Sequence, residues 1–123
     1  MNALLKAKSA YSAGTAPTRT AKNLEYDALA RITRRMIDAA NKGRDSFTEL
    51  AQVLHENRRL WSIFETDLLS QDNQLPLELK GNLLSLAAFT REHTSKVLSR
   101  KDTVRPLVEI NMAIMRGLRS GAS

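Results

Sequence analysis

Between its few glycines and prolines the chain repeats apolar residues three or four positions apart, the spacing of one helix face, and nowhere alternates them over the length of a strand. A segment opening near Thr18 or Thr20 carries Leu24, Ala28, Ile32, Met36 and Ala39 on one stripe, with Leu29 beside it. It ends at Asn41-Lys42-Gly43, where a glycine can take the left-handed conformation that closes a helix. Ser46-Phe47-Thr48-Glu49 has the form of a capping box and predicts a helix from Phe47 through Leu50, Leu54, Trp61, Phe64 and Leu68. The polar stretch 70–74 stops it. Pro76 suits the first position of another helix, with Glu78 in its first turn, and Leu79, Leu83, Leu86 and Val97 are expected to face inward. After a polar break at 99–102, Asp102 or Thr103 can cap a last helix bearing Val104, Leu107, Ile114, Met115 and Leu118, with Pro106 tolerated in its first turn. Ahead of all these, Asn2 can cap a short helix to about Ser12, with Leu4, Leu5 and Tyr11, before Gly14 and Pro17 break it.

The pattern predicts an all-α fold: a single small helical bundle of four to five helices over residues 1–123, with breaks near Gly43, Asn73 and Arg100. Residues 1–17 form a short N-terminal helix and linker. Trp61, Leu54, Ile114 and Leu118 are expected to be buried as the shared centre of two helices.

Composition supports one folded unit. The chain has 123 residues, 42% hydrophobic and 26% charged, which is enough apolar content for one core and too short for two. It has no cysteine, so no disulfide and no thiolate metal site. Lys6 and Lys8 stand where a signal peptide needs its apolar run, and the densest apolar stretch, 83–89, cannot span a bilayer. The expectation is a cytoplasmic protein without membrane association. The net charge of +6 is spread from Lys6 to Arg119. Arg91, Lys96, Arg100, Lys101 and Arg105 gather around the last break, while Arg31, Arg34 and Arg35 project from the helix before Gly43. An RNA site would need stacking aromatics among them, and only 5% of residues are aromatic. A solvated basic face is the simpler reading, and direct RNA binding is not expected.

Catalytic patterns are missing. His55-Glu56 opens like a zinc-protease motif, but Arg59 stands where the second histidine belongs. His93 has only Glu92 beside it, and adjacent helix positions point apart, so it reads as a surface or boundary histidine. The glycines at 14, 43, 81, 117 and 121 form no phosphate loop or dinucleotide fingerprint, and no Gly-x-Ser-x-Gly elbow occurs. Neither an enzyme nor a metal or nucleotide cofactor is expected.

Two features disturb the plain bundle. The stripe Leu50, Leu54, Trp61, Phe64 passes through Asn57 and Arg58, and the last helix carries Asn111 between Leu107 and Ile114. A buried amide without partners is costly. Either Asn57 and Asn111 bond to each other or to a neighbouring helix and fix register, or Asn57, Arg58, Trp61 and Asn111 line a groove for the backbone of a partner helix.

Three separated blocks carry a family resemblance: Leu24-Glu25-Tyr26, then residues 55–61 (His-Glu-Asn-Arg-Arg-Leu-Trp), then Pro106-Leu107-Val108-Glu109-Ile110-Asn111 with Ile114-Met115-Arg116-Gly117-Leu118. Together with Tyr11 they resemble FlaF, the flagellar biosynthesis regulator of alphaproteobacteria. The resemblance implies a non-enzymatic cytoplasmic protein that binds flagellin as an export chaperone and supports its synthesis and secretion, accompanied or opposed by the translational regulator FlbT. It also implies an alternative, regulation of flagellin mRNA translation with or through FlbT. By the same resemblance the partner-binding residues are Glu25, Tyr26, Asn57, Arg58, Trp61, Asn111, Met115 and Arg116. Lys22 stands where the family suggests arginine, which weakens any contact there that needs a planar guanidinium.

Overall fold

The computed structural model describes the backbone over residues 16–122 and the side chains over 26–118. Four helices follow one another: α1 (Ala16–Asn41), α2 (Phe47–Leu68), α3 (Leu77–Leu98) and α4 (Arg105–Ala122), with a short 3₁₀ turn at Gly43–Ser46. No strand occurs among the described residues. Short connections make successive helices antiparallel. α1 packs along α2 and α4, and α2 along α3, whereas α3 and α4 touch only sparingly. The fourth side of the bundle is therefore the least closed.

The helix ends explain the breaks. Gly43 lies at φ +82° with open space around its missing Cβ, so conformation rather than room calls for glycine there. At the end of α3 the amide of Arg100 donates to Val97 and that of Lys101 to Lys96, the paired bonds of a Schellman ending, with Arg100 at φ +60° in the position glycine usually takes. A non-glycine residue there costs roughly 1 kcal/mol. The guanidinium of Arg100 recovers part of that by lying 4.3 Å from the centre of the Phe47 ring. Between α2 and α3 the buried Asn73 gathers the turn: its side chain accepts from the Leu75 amide and donates to Asp67, while its carbonyl accepts from Lys80. A polar residue can be buried in this connection because nearly every polar atom is used.

Several local expectations are corrected. The helix expected from Thr18 or Thr20 begins at Ala16, and Pro17 opens it instead of breaking it, since a first-turn amide has no intrahelical partner to lose. α2 does start at Phe47, but the Ser46 hydroxyl makes no capping bond, because Ser46 closes the preceding 3₁₀ turn; Glu49 pairs with Lys42 at 3.2 Å. Neither Asp102 nor Thr103 caps α4: Asp102 accepts from the Thr103 amide, and the carbonyl of Val104 receives the first helical bonds, from Leu107 and Val108. The proposed helix at 2–12 lies outside the described residues.

The core has two parts. At the end holding the α1–α2 and α3–α4 turns, Ile32, Met36, Val53, Leu54, Val97, Val104 and Leu107 are buried together. Towards the other end the buried set is Leu29, Trp61, Phe64, Leu68 and Ala87. Leu54 and Trp61 are buried as expected, but Ile114 and Leu118 are only half-buried, and Leu79 is 43% exposed. Their partners would lie across the sparsely packed α3–α4 side.

Candidate functional site: a buried amide network beside a half-open trough

Asn57 and Asn111 are fully buried and meet across the bundle centre. Trp61 Nε1–H can only donate, and it donates to Asn111 Oδ1 at 2.9 Å. That fixes the Asn111 amide, whose Nδ2 donates to Asn57 Oδ1 at 2.8 Å and to Thr33 Oγ1 at 3.1 Å. One side chain of α4 is thereby bonded to α1 and twice to α2. Of the two arrangements the sequence left open, mutual bonding is the one observed. Asn57 Nδ2 and Thr90 Oγ1 have no hydrogen-bond partner among the described residues. A partner protein could touch Asn57, Trp61 or Asn111 only by opening the core.

The half-buried Arg58 faces α3, where it donates to the Arg91 carbonyl and to Ser95 Oγ at 2.7 Å. Arg91 in turn pairs with Glu65 at 2.8 Å, so two arginines and a carboxylate bolt α2 to α3. Tyr26 and Met115 are half-buried, Arg116 is exposed on α4, and Glu25 lies outside the described side chains. The described ones among the proposed residues thus divide into a core trio (Asn57, Trp61, Asn111), a helix clamp (Arg58) and the half-buried or exposed Tyr26, Met115 and Arg116.

His93 also departs from its reading as a surface or boundary histidine. It is buried, stacks on Phe89 with ring centres 5.1 Å apart, and its Nε2 lies 2.8 Å from the Thr103 carbonyl, tying α3 to the segment that leads into α4. The carbonyl can only accept, so Nε2 carries a proton. Asp102 lies 3.8 Å away. Sequence reasoning missed this link because nothing local relates His93 to Thr103.

On the outer face of α1 and α2, Arg35 donates to Glu56 at 2.8 Å. That hydrogen bond lowers the Glu56 carboxyl below its ordinary range, against some desolvation, with the charges of Arg35, Arg31 and His55 assisting. A depressed carboxyl stabilises the fold above its unfolded pKa and loses that contribution as pH falls through the folded value. Both side chains are about 40% exposed, at 41% and 42%, so solvent screens the pair. Glu56→Gln is expected to change stability by less than about 1 kcal/mol at neutral pH, with the difference vanishing in acid, as thermal melts at two pH values would show.

The sparsely packed α3–α4 side carries apolar residues that the described helices cover only in part. In the first half of α3, on the side turned to the core and to α4, Leu79 is 43% exposed and Leu83 and Leu86 are half-buried, and Ala87 is the first fully buried residue. After Asn111, α4 has no fully buried residue among those described, and Ile114, Met115 and Leu118 are half-buried. These halves lie side by side in an antiparallel arrangement. Leu86 and Phe89 share the flank of α3 that carries His93, the flank turned towards α4. The result is a trough with the Trp61, Phe64 and Ala87 core beneath it. Among the described residues no helix is long and apolar enough to cross a membrane, and no cluster of His, Asp or Glu could hold a metal.

No curated protein and no solved structure matches the chain. A family model described as flagellar protein FlaF matches residues 7–118, nearly the whole length, with α1 to α3 complete and most of α4. The chain belongs to the FlaF family of flagellar proteins.

Proposed function

We propose that this chain acts in the cytoplasm by binding flagellin as an export chaperone, without catalysis, and that a helical segment of flagellin lies in the trough between α3 and α4. The observation that carries the reading is an apolar side that no other described helix covers: Leu79, Leu83 and Leu86 on α3 and Ile114, Met115 and Leu118 on α4, all partly open to solvent. Helix-in-groove binding uses such a stripe at i, i+3 and i+4 spacing. Family membership supplies the flagellar setting. Arg116 stands exposed on the same half of α4, where it can meet a carboxylate on the rim. Asn57, Trp61 and Asn111 hold α4 against α1 and α2, and so fix one wall of the trough, without touching the guest.

Co-expression with flagellin and, separately, with FlbT, followed by size-exclusion chromatography, tests the reading. Flagellin is expected to co-elute with this chain, and the complex should tolerate raised salt because apolar contact dominates. Co-elution with FlbT alone, or binding to flagellin mRNA that weakens steeply with salt, would replace the chaperone reading with translational regulation.

A further inference from the structure

At the opposite end of the bundle from the trough, a cleft of about 430 Å³ opens where the α1–α2 and α3–α4 turns meet. Its walls are apolar: Phe47, Leu50, Val97 and Val104. Two guanidinium groups, Arg44 and Arg100, stand on it, and neither has a carboxylate partner among the described residues. Asp102 also lines the cleft, but its carboxylate accepts from the Thr103 amide at 2.7 Å and lies 3.8 Å from His93.

Arg100 is the telling residue. Its backbone occupies a left-handed position at φ +60°, where glycine would end α3 without strain, yet the residue present places a planar cation over Phe47 at the cleft. The guanidinium carbon lies 4.3 Å from the Phe47 ring centre and no described carboxylate pairs with it, so its N–H groups can serve the bidentate anion recognition that arginine favours.

We infer that this cleft binds an apolar group bearing one carboxylate, with the apolar part on Phe47, Leu50, Val97 and Val104 and the carboxylate on Arg100 and Arg44. The volume suits a ligand of modest size. A medium-chain fatty acid and a peptide ending in leucine with a free terminus share this chemistry. The site is separate from the trough and does not depend on flagellin binding.

Sodium octanoate, its neutral isostere octanamide, and a short peptide ending in leucine as free acid or amide are the probes, titrated into the full chain and followed by amide NMR. Octanoate is expected to move the Phe47, Val97 and Val104 resonances with a dissociation constant on the order of millimolar, and octanamide to bind about tenfold more weakly. Tighter binding of the free-acid peptide than of octanoate assigns the site to a protein terminus; the reverse assigns it to a free acid. Arg100→Gly is expected to weaken octanoate at least about tenfold while the melting temperature holds or rises by a few degrees, since glycine relieves the backbone. Arg44→Ala, on an exposed turn, should weaken binding in the same sense. The inference is overturned if octanoate leaves these resonances unmoved at about 10 mM, if octanamide binds equally well, or if both variants bind octanoate like the parent.

Discussion

Asn111→Ala is expected to lower the unfolding free energy by about 3 to 5 kcal/mol and the melting temperature by roughly 10 to 20 °C, the largest loss for a single polar residue in this fold. The change removes three bonds, to Trp61, Asn57 and Thr33, and leaves a buried indole N–H and a buried amide oxygen facing a cavity. Each orphaned group costs about 1 to 3 kcal/mol, although water entering the cavity would reduce the sum. Circular dichroism melts of the variant and the parent measure it. A loss of less than about 1 kcal/mol would mean that the network adds nothing to the fold. Replacing both partners separates bonding from packing: Trp61→Phe with Asn111→Leu should cost less than the two single changes added together, because removing donor and acceptor together leaves fewer orphans.

The same residues show what the sequence could and could not disclose. The helices, the breaks near Gly43, Asn73 and Arg100, and the interruption of two apolar stripes by Asn57 and Asn111 were legible because they depend on spacing and on single residue types. The pairing of Asn57 with Asn111 was one of two arrangements left open, and the bonds to Trp61 and Thr33 were not legible, because Asn111 lies 50 positions from Trp61 and 78 from Thr33. Periodicity assigned Ile114, Leu118 and Leu79 to the core because it reports which face is apolar and does not show whether another helix covers that face. Stripe positions that remain partly exposed, Leu79, Leu83 and Leu86 on α3 and Ile114, Met115 and Leu118 on α4, are the ones that mark the trough. The mistaken cap at Ser46 has a different origin: the motif was present, but a 3₁₀ turn ending at Ser46 used the backbone that the cap required. His93 was misread because its carbonyl partner is main chain and carries no sequence signature.

The trough leads to the second large effect: Leu86→Glu should weaken flagellin binding by about 100-fold, close to 2.7 kcal/mol. Leu86 is half-buried on the flank of α3 that faces α4, so a carboxylate there would have to lose water beneath an apolar guest. The free protein should tolerate the change better than the complex, because the longer side chain can reach solvent while the trough is empty. Leu79→Glu, at a position already 43% exposed, provides a variant with still less demand on folding and should weaken binding in the same direction. Arg58→Ala gives the contrast: it breaks the clamp to Arg91 and Ser95 and should lower the melting temperature more than it changes affinity in the surviving folded protein. Calorimetric titration with flagellin, paired with a melt of each variant, separates the two effects. If both glutamate variants fold and bind flagellin like the parent, the guest does not lie between α3 and α4. Attention would then pass to the exposed face of α1 and α2, where Arg31, Arg34 and Arg59 are free to meet an acidic partner.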